Sequence, residues 1–472
     1  MTKKSIYILT LVFGGLFLGS CKKYLDINQN PNAAQEPPIK GLLANTTYMT
    51  GENIFNAGNI TSYYTQYLAG PSAADAKDIY DDINANGTWD GFYNIMTDIY
   101  DMRNLGNTKG LGAYVGVADI LMAINLSTVS NIWGDVPYDQ AFTGVTNLNP
   151  GYQGGKVIYD SCMQLLDAGI AALSDPGVVD QLDASSDFVH AGNVNAWLRT
   201  AHMFKARLLQ QVSKTGSYNA DAVLAELAEG YAGNSDDAQI TAYVQDVNSN
   251  PWGSVAIANA GLNLDGWLSS HFVDALNAQT FGVFDPRLPL ITQKTKFDDY
   301  RGTPNGAGRV GTGTEHEECY LDVDKWYSTQ TSPLQIATYA EAKFIEAEAQ
   351  FRKGNAAEAY AAYLDGMKAQ MQKMGVPDTA VTRYTTSPTV AVGSGALTLD
   401  LIMKEKYVAT FLSPVTWDDM RRMDYAYTDF NMPVGAVQQT FIRRVNYPPN
   451  ELSRNGKNVP SVALTDHLWW DQ

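Results

Sequence analysis

The feature that most constrains this chain is a pair of helical stretches joined by a four-residue turn. In PLQIATYAEAKFIEAEAQF, residues 333–351, Ile336, Ala340, Ala347 and Phe351 fall on one helical face, with Phe344 beside them. The turn RKGN follows, and then AAEAYAAYLDGMKAQMQKM, residues 356–374. There Ala356, Tyr360, Tyr363, Met367, Met371 and Met374 recur every three or four residues. Small residues on both stretches allow close antiparallel packing. Such a hairpin cannot bury its apolar face alone, and similar pairs must stack on it to build one core. It looks like a tetratricopeptide-type unit.

Further helical spacing supports that stacking. Residues 41–70 read as helical, 91–130 as two helices separated near Asn104–Gly110, and 156–174, 194–213 and 219–231 as three more. The stretch 111–135 is strongly apolar and expected to be buried, ending at the breakers Gly134 and Pro137. From about 232 to 333 the chain is irregular, with short helices expected near 241–246 and 268–277; further helices are expected at 397–412 and 416–426. No run of alternating strands is convincing. The expected fold is therefore all-α: tetratricopeptide-type hairpins forming a partial solenoid, over about 41–230 and 335–375. A loop-rich irregular subdomain at about 232–333 and a C-terminal part at 376–472 complete a single body, residues 39–472.

The N-terminus constrains location. Lys3 and Lys4 precede the uncharged apolar run Ile6–Leu18, and Gly19-Ser20-Cys21 closes it. This is the layout of an export signal over residues 1–20, too short for a comfortable span of roughly 20 apolar residues. Leu18-Gly19-Ser20-Cys21 resembles the bacterial lipobox, in which the cysteine becomes the lipid-bearing first residue. Each buried CH₂ contributes about 0.8 kcal/mol, and stable anchoring takes more than one acyl chain. Residues 21–38, rich in Asn, Pro and Glu near their end, then form a tether.

The formal charge is −17, and loss of Lys3 and Lys4 with the leader takes the mature chain to about −19. Such a surface repels nucleic acid. Of the remaining cysteines, Cys162 shares a helical face with Ile158, Leu165, Gly169 and Leu173 and reads as a core residue. Spacing does not support its pairing with Cys319. No zinc-type spacing occurs. No cofactor is implied, although oxygen ligands for a structural calcium exist in DIYDDINAN, residues 78–86.

Several segments together resemble the SusD/RagB family of outer-membrane lipoproteins, in the right order along nearly the whole mature chain. They are YLDINQNPN at 24–32, NIWGDVPYDQAF at 131–142, DFVHAGNVNAWLRTAHMFKARLL at 187–209, FDPR at 284–287, WDDMRRMDY at 417–425 and RRVNYPPNELSRN at 443–455. The approach to KVIYD, here NLNPGYQGG, departs from the family's Pro-x-Tyr-Asp. The resemblance implies an all-helical body whose irregular inserts form a ligand face. It also implies an outer-membrane location facing the exterior, capture of a glycan or oligosaccharide (or a peptide), and delivery to a TonB-dependent SusC-like transporter. It implies no enzymatic activity.

A glycan binder needs exposed aromatic rings for the C–H faces of sugars and polar side chains for their hydroxyls. Among the 9 Trp and 27 Tyr, those in apparent loops are the candidates: Trp89, Trp252, Trp267, Trp326 and Tyr327. The alternative for each is that it glues a loop to the core. Trp133, Trp197, Trp469 and Trp470 read as structural. So do the charges of Asp418, Asp419, Arg421 and Arg422, and Asp285-Pro286-Arg287 reads as a loop lock. The glycine-rich TPNGAGRVGTGT, at 303–314, lacks the GK[ST] ending of a phosphate loop and reads as a mobile surface loop. Two rival functions stay open. A surface glycoside hydrolase needs two carboxylates about 5 to 9.5 Å apart, and nothing selects a pair from the 50 acidic residues. A structural lipoprotein would bind only protein.

Overall fold

The computed structural model describes residues 37–262, 265–311 and 316–472. The leader, Cys21 and most of the tether lie outside these. Six helices open the body: α1 (Ile39–Tyr64), α2 (Asn86–Lys109), α3 (Gly112–Trp133), α4 (Gly155–Leu173), α5 (Val194–Gln211) and α6 (Ala220–Glu229). Each packs on the next. The two expected helices in 91–130 are α2 and α3, parted at Gly110, whose φ of +67° ends α2 in the left-handed conformation. Helix α3 is apolar on all sides and nearly all of it is buried. It is long and apolar enough to cross a membrane, but its environment is the protein core. Gly116 of α3 and Gly169 of α4 let the two backbones touch: a Cβ on Gly169 would lie 3.0 Å from the Gly116 carbonyl oxygen.

The hairpin expected at about 335–375 is α9 (Tyr339–Lys353) and α10 (Ala356–Lys373). Thr338 caps α9 by accepting a hydrogen bond from the Glu341 amide, and Gly354 closes it in the left-handed conformation. Gly366 on α10 leaves room for the ring of Phe344 on α9. Helix α9 also packs on α6 and on α12 (Leu399–Ala409), joining the hairpin to the preceding helices and to the C-terminal part.

The irregular part holds α7 (Pro251–Leu262) and α8 (Ser270–Leu276). The helix expected at 241–246 does not form. Asp246 adopts a φ of +60° in a turn bridged by Val244 and Asn248, and the helix begins instead at Pro251, whose ring suits a first turn. After α10 come α11 (Asp378–Thr385), α12, α13 (Val415–Arg422) and α14 (Pro449–Arg454).

The all-α expectation needs correction to mostly α. Among the described residues, three two-stranded antiparallel ribbons pin loops down: β1 (Leu68–Ala69) with β5 (Trp267–Leu268), β2 (Val136–Pro137) with β3 (Tyr152–Gln153), and β4 (Ala238–Ile240) with β6 (Leu334–Ala337). Each is too short to show a period-two pattern in the sequence.

One contiguous apolar core runs from Leu42 to Tyr447, and the C-terminal Trp470 docks in a small satellite with Val212 and Leu468. Buried charges knit the elements together. Arg422 of α13 donates to Glu348 of α9 and to Asp419, while Arg287 donates to Asp285 and to Glu405 of α12. Both charge groups read from the sequence as internal locks are such locks. Cys162 and Cys319 are buried free thiols.

Candidate functional site

The tryptophan-based expectation of a binding platform meets a simple obstacle: most of those rings are buried. Trp89 lies in the first turn of α2, not in a loop, edge-on to Trp133 at 5.1 Å. Trp252 opens α7 and packs edge-on against Phe55 at 4.7 Å. Trp267 sits in β5, 1% exposed, with the Arg309 guanidinium 4.0 Å from its ring centre. Tyr327 is buried, and its hydroxyl accepts a 2.7 Å hydrogen bond from Gln370. Placing these four as exposed loop aromatics is therefore corrected: their large apolar area is taken up by the core and by loop docking. Trp326 alone is partly exposed, standing edge-on to Tyr327. Tyr327 is its one ring partner from the set, and Trp89, Trp252 and Trp267 do not join the pair in one exposed platform.

The loop side presents a different constellation. A polar cleft of about 240 Å³ lies between the start of α8, the 303–306 loop and the 429–434 segment. Ser270, His271 and Asp274 come from one face of α8, Thr280 from the turn after it, and Asp429 and Asn431 from the opposite wall. Helix α8 is aimed by its own cap: the Ser269 hydroxyl accepts from the His271 amide and donates to Asn305. Gln66, at the end of α1, donates from Nε2 to the Asn431 carbonyl at 2.6 Å and so fixes the far wall.

Electrostatics suit hydroxyl recognition. Burial pushes the His271 imidazole down to about 4, against the Asp429 backbone and charge that raise it. At neutral pH the ring is uncharged, with one nitrogen donating and the other accepting. Burial pushes the Asp274 carboxyl up, while its hydrogen bond from Asn277 works the other way. Gln66 and Asp429, which line the cleft, have positive φ of +51° and +59°. Such strained backbone persists only where the surroundings over-determine it, and it clusters at functional sites.

The cleft is joined to an aromatic ledge. Asn277 Nδ2 donates to Asp274 Oδ1 and to the Tyr300 carbonyl, each at 3.0 Å. Tyr300 lies 5.9 Å from Phe284, which is 44% exposed. Phe297, also exposed, carries the Arg301 guanidinium 4.6 Å from its ring centre. Sequence reasoning missed these residues because it weighed tryptophans first. The same criterion, an aromatic in the irregular 232–333 segment, would have found Phe284 and Phe297.

The glycine-rich segment is a correction too. Residues 303–311 are pinned, not mobile; 312–315 lie outside the described residues. The Asp78 carboxylate accepts from the amides of Gly70 and Gly306 and from Asn305 Nδ2. Those donors occupy the carboxylate that opens the DIYDDINAN stretch. Gly306 has a φ of +77°, and a Cβ there would lie 2.0 Å from the Val434 carbonyl oxygen. That contact seats the loop against the cleft's outer wall.

Solved structures share this architecture. A chitin-binding SusD homolog from Flavobacterium johnsoniae superimposes with a TM-score of 0.76 at 20% identity, covering 92% of this chain and 98% of its own. A SusD/RagB family protein from Bacteroides thetaiotaomicron gives 0.73 at 20% identity, covering 92% and 98%. A SusD homolog from Bacteroides fragilis gives 0.74 at 18% identity, covering 90% and 99%. No curated protein matches the sequence. Residues 31–448 match the SusD-like family described as "Starch-binding associating with outer membrane". The chain belongs to this SusD-like family, whose members are binding proteins and not enzymes.

Proposed function

We propose that this protein is a lipid-anchored surface receptor that captures an oligosaccharide and hands it to a SusC-like, TonB-dependent transporter. Cys21 carries the lipid, and residues 21–38 tether the body to the outer face of the outer membrane. The hairpin array, read as a tetratricopeptide-type partial solenoid, faces the transporter, while the loop side faces the ligand. The family's association with the outer membrane and with nutrient binding supports this reading.

The observation that carries it is the cleft of Ser270, His271, Asp274, Asp429 and Asn431 beside the Phe284–Tyr300 ledge. Neutral and anionic acceptors line a space of about 240 Å³, and the exposed ring of Phe284 is linked to it through Asn277 and Tyr300. That is the pairing a sugar requires: hydroxyls on the polar wall and C–H faces on the ring. Trp326 remains a secondary ligand candidate as the part-exposed member of the original set. Two homologs with the same fold are described as chitin-binding, which makes chitin oligosaccharides a sensible first probe beside starch-type ones.

The ligand closes the receptor onto its transporter only if it binds the closed form better than the open one. A glycan array probed with the purified chain, followed by mass analysis of the retained sugar, tests the reading. Retention of intact glycan supports it. Shortened products would reveal a hydrolase, and stable capture of the transporter with no glycan retained would reveal a structural lipoprotein.

A further inference from the structure

A second cavity, of about 670 Å³, lies on the other side of Phe284, between the 283–290 segment and α11. It falls in the range of small-molecule sites. Its character is opposite to that of the polar cleft. Phe284, Pro286, Pro289 and Leu290 form one wall, and Pro377, Ala380 and the ring of Tyr384 form the other.

The two walls are cross-linked beneath the surface. Arg287, next to Pro286, donates from Nη2 to Glu405 Oε2 at 2.6 Å. Tyr384 donates its hydroxyl proton to Glu405 Oε1 at 2.7 Å. One buried carboxylate thus holds both sides, and the groove is pre-formed, not a gap between loosely packed elements. The Tyr384 hydroxyl is consumed by this network, leaving only its ring to the groove.

The charge pattern is specific. Below the groove, Arg287 and Lys404 balance Asp285 and Glu405. The remaining charge in the lining is Arg383, exposed and without an ion-pair partner among the described residues. Asp378, on the same helix, does not line the groove. Across a chain of net charge −17, Arg383 is a single unbalanced cation at the edge of an apolar trough.

We propose that the groove is a second ligand site, separate from the polar cleft, for a small apolar carboxylate. The apolar body lies along the proline and aromatic walls, and the carboxylate pairs with Arg383, whose planar fork suits two parallel N–H···O bonds. Such a ligand could be a medium-chain acid or the free C-terminus of an apolar peptide; the chemistry at the groove is shared.

Calorimetric titration of the full chain with decanoate, below its micellar concentration, tests this. One saturable site is expected, with octanoate weaker by about fifteenfold, since each methylene is worth roughly fourfold. Decanamide, which lacks the charge, should bind at least tenfold more weakly. Arg383→Ala should weaken decanoate by roughly tenfold, consistent with loss of a charge-assisted pair, and leave thermal unfolding unchanged. Ala380→Trp should fill the groove and abolish binding. N-acetyl-Leu-Phe separates the sources: tighter binding than decanoate assigns the site to peptide C-termini, weaker binding to aliphatic acids. Absence of saturable decanoate binding, or equal affinity for decanamide and for the Arg383→Ala variant, would overturn the proposal. Phe284 borders both sites, so Arg383→Ala, which leaves that ring in place, is the variant that separates them: its glycan binding is expected to equal that of the wild type while its decanoate binding falls.

Discussion

Arg287 and Glu405, 118 residues apart, meet at 2.6 Å with both side chains sealed from solvent. Their contact ties the irregular segment to α12 of the helical body. Removing one partner of a buried pair leaves the other charge uncompensated and typically costs about 3–5 kcal/mol. Glu405→Gln should therefore lower the unfolding free energy by about that much, seen as a lower denaturant midpoint by circular dichroism. An unchanged midpoint would mean that the two halves hold together without the lock.

The acid stability should carry the signature of a second lock. Burial alone would raise the Glu348 carboxyl. The charge and hydrogen bonds of Arg422, with the charges of Arg352 and Lys406, outweigh burial and hold it at about 2, against an ordinary 4.5. Between those values the folded state binds fewer protons than the unfolded state. The stability from Glu348 is thus fully present above pH 4.5 and is lost as pH falls from 4.5 toward 2. Glu348→Gln should flatten this limb of a pH-dependent unfolding curve, besides lowering stability at pH 7.

Trp267→Ala separates the core from the site. A buried tryptophan lost to alanine costs about 3–5 kcal/mol, and Trp267 is packed under Arg309 in β5. The variant should unfold at clearly lower temperature. Phe284→Ala removes an exposed ring and should leave the melting temperature within a degree or two while weakening glycan retention.

The seat of the 303–306 loop can be probed at one atom. Gly306→Ala would place a methyl group 2.0 Å from the Val434 carbonyl oxygen, at a φ of +77°. The loop must shift, and with it the outer wall of the cleft. Hydrogen exchange should rise across 303–311 and 431–437, with the exchange of α9 and α10 unchanged.

The hairpin α9–α10 was legible in the sequence because its apolar spacing and the RKGN turn agree, and the Thr338 cap and Gly354 stop found in the structure point the same way. The apolar helix α3 was legible for the same reason of length and continuity. Helix α11 was not: TRYTTS is rich in β-branched residues with weak helix preference, and tertiary packing of Val381 and Tyr384 overrides it. The site was the least legible part. Its walls come from residues near 66, 270–280, 305 and 429–431, so no local pattern joins them. The tryptophans misled because a large ring in a segment without helical spacing still gains more from burial than from exposure. Trp89 and Trp252 simply proved to begin helices.

The anchor has its own test. Labelling with a fatty acid should mark the native chain and fail to mark Cys21→Ser, which should be released from the membrane fraction.

The central claim is that the α8 cleft holds a sugar and returns it intact. Its most direct test is titration of the glycan best retained on an array into the wild type, Asp274→Asn and Asn431→Ala. The account predicts saturable binding by the wild type, a loss of at least tenfold in each variant at unchanged melting temperature, and full recovery of uncleaved glycan. Wild-type affinity in both variants, or recovery of shortened sugar, would contradict it.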